Sequence, residues 1–237
     1  MKKPVVYSLL CGLLFACAET VPAADPSLPD MYAAAHQKID EKSYAEGAAL
    51  FGEVETTFPT NPWAADALIM AAYGQYQARD FAGAIITIDR FMRFHPGHPH
   101  ADYVLYLKGM CFYRQVSDVR REPGMSGYAL GAFTQLVQRF PKSEYAKNAE
   151  NKITILKNYI AGKMMYSARR DLARQNWTVA ITNLQTIVTK MQETQMTPEA
   201  LFRLTEAYTA IGLSEQAAGY AEMLRINFPD NEWTKKL

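Results

Sequence analysis

The chain has 237 residues, 49% of them hydrophobic and 21% charged, with 25 Lys and Arg against 24 Asp and Glu. That balance excludes the strongly basic surface a nucleic-acid partner requires, and the length suits one elongated or two compact units. Long alternations of β-branched residues are missing while Ala, Gln, Met and Tyr are plentiful, so helices are expected.

The first element is an apolar run. Lys2 and Lys3 precede a stretch from Val5 to Phe15, the pattern of an export signal. The run falls short of the roughly 20 residues that span a bilayer, and no later stretch is apolar enough, so membrane attachment is expected through this end. Cys11 lies inside the run; Cys17 and Cys111 lie beyond it. Cys17 has three open roles: a buried thiol, half of a disulfide, or an attachment point. Leu14-Phe15-Ala16-Cys17 resembles the lipobox of bacterial lipoproteins, which implies lipidation of Cys17 after removal of residues 1–16, and Ala18 in place of Asp implies outer-membrane sorting. Phe15 is bulkier than the usual residue there. Several acyl chains at about 0.8 kcal/mol per buried CH₂ would anchor stably. A plain secretory signal cleaved near Ala24 is the competing reading. Residues 17–27 read as a tether. Cys111, in LKGMCFYRQ, sits on an apolar helical face and is expected to be a buried thiol rather than a partner for Cys17.

After the tether the chain repeats itself. A small residue is followed twelve positions later by proline: Gly47 and Pro59, Ala84 and Pro96, Ala129 and Pro141, Ala217 and Pro229. Ala180 is followed by Gln192, where the proline is lost. Between them runs an apolar stripe at helical spacing: Phe51 and Val54, Ile88 and Phe91, Phe133 and Leu136, Leu184 and Ile187, then Leu224. A helix-turn-helix unit with a period of about 34–37 residues is the tetratricopeptide pattern. Small residues on the first helix (Ala35, Ala72, Gly109, Ala168) are expected to face Gly47, Ala84, Ala129 and Ala180 on the second, letting the helices approach. Proline then ends the second helix, and Asn61-Pro62, His98-Pro99 and Thr197-Pro198 mark starts, with proline at the first helical position.

Two spacings are irregular. Gly109 and Ala129 stand 20 apart, and the surplus falls in SDVRREPGMSG, read as a charged loop. Residues 143–175 carry apolar 3/4 spacing (Ile153, Leu156, Ile160, Met164) without proline, which predicts one long helix with a bend at Gly162. The expected architecture is all-α: a tetratricopeptide-like solenoid of about five helix-turn-helix repeats with a long concave surface. Residues 28–127 form the N-terminal repeats and 128–237 the C-terminal ones.

Catalytic grammar is missing: no HExxH, Gly-x-Ser-x-Gly, GxxxxGK[ST] or CxxC occurs, so no catalytic residue, cofactor or metal is assigned. His95, His98 and His100 crowd one inter-repeat turn without the ligand spacing of a zinc site. His36 reads as a partly buried histidine, and Glu53, Glu55, Asp118 and Glu122 as solvated acids. Asp89 and Arg93 have ion-pair spacing. Tyr32, Tyr44, Trp63, Tyr73 and Tyr76 are mostly core, and any that line the concave face would suit an extended peptide.

The run IDRFMRFHPGHPHADYVLYLKG (88–109) resembles the BamD (ComL) family of outer-membrane assembly lipoproteins, as do QVSDVRREPGMSGYALGAFTQLVQRFPKSEYAKNAENKI, TPEALFRLTEAYTAIGL and the terminal FPDNEW. The resemblance covers the whole chain. It implies a non-enzymatic adaptor on the periplasmic face of the outer membrane, held through acylated Cys17. Its implied partners are the periplasmic domains of the insertase BamA and unfolded β-barrel precursors, with no nucleic acid. The N-terminal repeats would engage precursors, with Tyr32, Trp63, Tyr76, Arg90, Arg93, Asp102 and Tyr103 as candidates. The C-terminal repeats would dock on BamA. There the family's Asn-Arg is replaced by Thr182-Asn183, and Ala168-Arg169-Arg170-Asp171 keeps only Arg169 of a Gly-Arg-aromatic-aromatic run. Arg169, Arg170 and Arg174 are the candidate substitutes. The other function considered is a periplasmic tetratricopeptide lipoprotein that regulates cell-wall synthesis or division, though residues 18–30 lack that group's heptads.

Overall fold

A computed structural model describes residues 27–116 and 124–237. The expected signal segment, Cys17 and most of the tether lie outside them. The helices are α1 (Leu28–Asp40), α2 (Tyr44–Thr57), α3 (Trp63–Gln77), α4 (Phe81–Phe94), α5 (Ala101–Tyr113), α6 (Gly124–Arg139), α7 (Glu144–Ala173), α8 (Trp177–Lys190), α9 (Thr197–Ala210) and α10 (Ser214–Asn227). A short 3-10 turn, Thr234–Lys236, follows, and no strand occurs among the described residues. The molecule is a tetratricopeptide-like stack of five helix pairs, α1/α2 to α9/α10.

Each helix packs on its neighbours in sequence, and α3 also meets α5, and α5 meets α7. The second helices of successive pairs make at most marginal contact with each other. Closer spacing of the first helices puts them on the inner side of the curve. The apolar core is divided among the joints. Ala35, Phe51, Val54 and Ala67 join the first pair to α3; Leu68, Ile88, Phe91 and Val104 fill the next joint. Leu105, Phe133, Leu136 and Leu156 fill a third, and Met165, Leu184, Ile187 and Leu204 a fourth. All the apolar positions of the repeated stripe are buried. A fully buried Leu or Phe contributes about 1.5–3 kcal/mol.

The two turn types repeat as well. Within pairs the chain reverses through one left-handed residue: Lys42 (φ 62°), Arg79 (63°), Gln175 (61°) or Gly212 (79°). In each, the next residue's N–H closes on the carbonyl five positions back, as Ser43 N does on Lys38 O at 2.9 Å and Leu213 N on Tyr208 O at 2.9 Å. This closure satisfies the last carbonyls of the first helix. Four of the second helices end on a residue in a common conformation: Phe58 (φ −127°, ψ 55°), His95 (−127°, 48°), Met191 (−138°, 38°) and Phe228 (−139°, 54°). Proline follows three of these, but Gln192 follows Met191. There the buried hydroxyls of Thr194 and Thr197 both donate to Met191 O, at 2.8 and 3.1 Å. They hold the turn that proline holds elsewhere.

Four local expectations change. Pro62 and Pro99 lie just ahead of their helices, which begin at Trp63 and Ala101; Asn61 Oδ1 accepts from Trp63 N at 3.0 Å instead. Gly109 faces the ring of Phe133, where an added Cβ would sit 2.4 Å from Cε1, so a large residue rather than Ala129 fills that crossing. The closest backbone approach falls at Gly74, whose Cβ would lie 2.8 Å from Tyr44 O. Within SDVRREPGMSG, residues from Gly124 onward are already helical, and 117–123 fall outside the described residues. The long helix is present, and α7 runs through Gly162 without a break.

Candidate functional site

The inner helices carry two aromatic clusters. At the first, Tyr32 on α1 stands 5.0 Å from Trp63 on α3 and 5.2 Å from Phe51, with His36 packed beside both Tyr32 and Phe51. Burial, then the charge of Asp66, pushes the Tyr32 phenol above its ordinary range. Trp63 remains 43% exposed. Asp66 Oδ1 lies 3.6 Å from His98 Nε2, and His98 Nδ1 accepts from His100 N at 3.3 Å. The histidine turn is thus tied into the joint between α3 and α5, and no group of His, Cys, Asp and Glu suited to a metal occurs among the described residues.

The second cluster spans α3, α5 and α7. Tyr73 and Tyr76 pack against the same core as Tyr103. Tyr145 stands 5.3 Å from Tyr103 and 5.4 Å from Tyr106. Tyr103 is mostly enclosed, and burial, followed by the neighbouring tyrosines Tyr73, Tyr145 and Tyr76, pushes its phenol upward. Tyr106 donates to Asn148 Oδ1 at 2.9 Å, and Lys152 Nζ lies 5.5 Å over its ring. Asp102 anchors this joint: Ser143 Oγ donates to its Oδ2 at 2.6 Å. Arg114 Nε donates to Tyr76 Oη at 3.1 Å, which raises the guanidinium pKa further. These tyrosines form a surface that is half apolar ring and half hydroxyl.

Among the N-terminal candidates, then, Tyr32 pairs with Trp63, Tyr76 clusters with Tyr103, and Asp102 is a structural anchor. Arg90 and Arg93 join neither cluster, because α4 is an outer helix. Arg90 Nη2 binds Glu55 Oε2 at 2.6 Å, and Glu55, expected to be solvated, is 7% exposed. Asp89 pairs with Lys108 at 2.5 Å across helices rather than with Arg93 four positions on. Cys111 is buried with a free thiol, pushed up to about 12 mainly by desolvation. Tyr106 and Tyr145 were not singled out by sequence; the only signal for Tyr145 is its place two residues after the helix-capping Ser143, which accepts from Tyr145 N at 3.1 Å.

The C-terminal site centres on Glu199. This carboxylate is 5% exposed and sits in the first turn of α9, where the helix dipole favours an anion. Arg169 grips it with two nitrogens, Nε at 2.8 Å and Nη2 closer still. Arg203 Nε lies 3.6 Å from Glu199 Oε1, and its Nη1 donates to Glu206 at 2.7 Å. Phe202 and Trp233, 5.2 Å apart, flank the Arg203 guanidinium. Arg169, Arg203, Glu206, Leu172 and Trp177 line a groove of about 500 Å³. Arg170 reaches Ser167 at 3.4 Å and Asp171 at 3.9 Å, and Arg174 is exposed. So Arg169 is committed to an internal pair, while Arg170 and Arg174 stay open to solvent. Arg203 went unread in sequence, although Glu199, Arg203 and Glu206 have helical ion-pair spacing. Thr182, on the outer helix α8, returns its hydroxyl to Thr178 O at 2.9 Å.

Comparison with known proteins bears on these surfaces. The family described as YfiO, outer membrane lipoprotein, matches residues 24–224. The outer membrane protein assembly factor BamD of Caulobacter vibrioides is 37% identical over 203 residues, covering 86% of this chain and 67% of that one. The protein of the same name from Neisseria meningitidis serogroup A is 31% identical over 245 residues, covering 96% and 92%. Among solved structures, the TPR2AB domain of yeast Sti1 aligns with TM-score 0.43 and 10% identity, covering 87% of this chain and 80% of that one. No helix of the described residues is long and apolar enough to cross a membrane. On the extent of the family match and the identity to full-length relatives, the chain belongs to the YfiO family of outer membrane lipoproteins, which includes the BamD assembly factors.

Proposed function

We propose that the chain is a lipid-anchored, non-enzymatic adaptor of outer-membrane β-barrel assembly, which holds unfolded precursors on its N-terminal repeats and docks on BamA through its C-terminal repeats. The tyrosine surface of α3, α5 and α7 is the observation that carries this reading. An unfolded barrel strand offers apolar side chains on alternate residues, about 6.6 Å apart along one face, and a backbone with unpaired N–H and C=O groups. Tyrosine meets both needs, ring against side chain and hydroxyl against backbone. In this reading residues 28–127, joined by Tyr145 at the start of α7, are the precursor side, and the rest of 128–237 is the insertase side. Arg170 and Arg174 offer the charges for docking, the Glu199 site shapes the adjoining groove, and acylated Cys17 holds the assembly at the lipid surface.

Fluorescence anisotropy with a labelled C-terminal strand peptide of a barrel precursor tests the first half. Tyr106→Ala/Tyr145→Ala should weaken binding at least about tenfold; unchanged affinity would exclude this surface. Co-purification from detergent extracts tests the second. Arg170→Glu/Arg174→Glu, which leaves the Arg169–Glu199 pair intact, should reduce recovery of BamA. Recovery of cell-wall synthases in place of BamA would replace the proposal. Cys17→Ser should move the protein from the membrane to the soluble periplasmic fraction.

A further inference from the structure

The second helices of the last two pairs, α8 and α10, enclose a groove of about 560 Å³ with α9 as its floor. Val188, Leu201, Met223 and Phe228 make its interior apolar, and Gln192 and Asn227 stand on its two walls. None of its lining residues is charged. Thr189 lines it too, but its hydroxyl returns to Gln185 O at 2.7 Å, so the methyl is what it offers. At one end Gln185 Nε2 reaches Tyr208 Oη at 2.9 Å and Tyr220 Oη at 3.4 Å, tying α8 to the stacked tyrosines of α9 and α10. Past its mouth the uncharged face of α10 continues. Met223 and Ile226 are 51% and 67% exposed, and nothing stands within 4 Å of a Cβ added at Gly219, one turn before Met223. Glu222 and Arg225 pair with each other at 3.6 Å on the other side of the helix. The corresponding groove between α2 and α4 differs in kind, because the ion pair of Arg90 and Glu55 bridges it. The helices on either side of residues 117–123, α5 and α6, make at most marginal contact with α8, α9 and α10.

Gln192 stands where four other repeats carry Pro59, Pro96, Pro141 and Pro229. The turn does not depend on its side chain, since Thr194 and Thr197 hold Met191 O. What Gln192 adds is a carboxamide on the groove wall, with a second one across from it on Asn227. Each spends one N–H on its own helix, Gln192 on Thr189 O at 3.5 Å and Asn227 on Met223 O at 2.9 Å. Each keeps a second N–H and a carbonyl oxygen without a partner among the described residues. That combination selects an occupant. A charged side chain would lose its hydration here with no counter-charge to meet it. An acyl chain would strip water from both carboxamides and return no hydrogen bond. A helix has already paired its backbone groups internally. An extended backbone carries a free N–H and a free C=O at each residue, the complement of a carboxamide, and turns alternate side chains toward the floor. We propose that this groove binds an extended, uncharged segment of another polypeptide, its backbone against Gln192 and Asn227 and its apolar side chains against Val188, Leu201 and Met223. The site shares no lining residue with the Glu199 groove and does not rest on docking through Arg170 and Arg174.

Fluorescence anisotropy of the full chain tests it, with an end-blocked twelve-residue peptide of Ser-Leu-Gln-Val repeats carrying an uncharged dye. The peptide should bind, and its affinity should change less than twofold between low and high salt. The same peptide N-methylated at alternate residues, which removes backbone donors, should bind at least tenfold more weakly, as should a version with Asp in place of Ser. Gln192→Pro, which restores the residue of the other turns, and Met223→Lys should each weaken the unmodified peptide at least tenfold while thermal melts show a folded chain. Asn227→Ala, on the opposite wall and outside that turn, should give a loss in the same direction. Tyr106→Ala/Tyr145→Ala should bind this peptide as the parent does, so failure here and failure of the precursor surface are read separately. No binding, equal binding of the N-methylated peptide, or affinity indifferent to the groove variants would overturn the proposal. So would loss in the tyrosine variant alone, a dimer in light scattering that Met223→Lys dissolves, or phosphatidylcholine vesicles bound through Met223 while the peptide is not.

Discussion

At the scale of single residues, buried charge is the most sensitive feature. Glu199 is enclosed and is held by Arg169 and Arg203. Arg169→Met should destabilise the chain by about 1–3 kcal/mol in urea titration, because the carboxylate stays buried without the two hydrogen bonds from Arg169 and with only the longer Arg203 contact left. Arg169→Met/Glu199→Met should recover part of that loss. Glu193 gives a pH-dependent case. Its hydrogen bond from Lys157, then its own backbone N–H, holds its carboxyl below the usual value of 4.5. A depressed pKa adds stability that is present above the unfolded value and is lost as pH falls through the folded one. The Lys157→Met variant should therefore be less stable than the parent at pH 7, by under about 1 kcal/mol for so exposed a pair, and in thermal melts the difference should shrink as pH falls through the lowered pKa. Cys111 is a third case: with its thiol at about 12, only a trace is thiolate at pH 8. In a Cys11→Ser/Cys17→Ser background it should react with a thiol reagent at least about 100-fold more slowly in the native than in the urea-unfolded chain.

At the scale of elements, the long helix is where sequence and structure can be compared most directly. Its 3/4 spacing predicts one long helix with a bend at Gly162; the long helix is there, and it continues through Gly162 without a break. Glycine inside a helix carries an entropic penalty of about 0.5–1 kcal/mol relative to alanine. Nothing stands within 4 Å of an added Cβ, so Gly162→Ala should raise stability by about that amount, read as a shift of the urea midpoint at constant slope. The repeated prolines mark three of the four inter-pair turns and the end of α10. The turn at Met191 was harder to read, because its support comes from Thr194 and Thr197 hydroxyls, and nothing in a local pattern says that a threonine will be buried against one carbonyl.

At the scale of the molecule, a stack of joints has no single core, and its ends have one neighbour each. Among the buried residues of α1 there is only Ala35, and α10 buries only Ala217, Ala221 and Leu224. Native-state hydrogen exchange should therefore be fastest in α1 and α10 and slowest in α5 and the first half of α7, which share the largest aromatic joint. Uniform protection across all helices would mean one cooperative unit in place of a stack. The long helix also sets the working layout, since its halves belong to different joints and it links the tyrosine surface to the Glu199 groove.

The helix pairs and their order are legible in the sequence alone, because a 3/4 apolar spacing, a small residue and a proline twelve positions on are local signals that act through local sterics. Which charges are buried is not. Glu55 and Glu199 look like any surface acid until Arg90 and Arg169 arrive from other helices. The same holds for Tyr145, which becomes part of an aromatic surface only where α7 crosses α5. Spacing along a helix tells which residues share a face. Only tertiary packing tells what that face meets, since the partner comes from a distant stretch of chain placed by the sum of all the joints between.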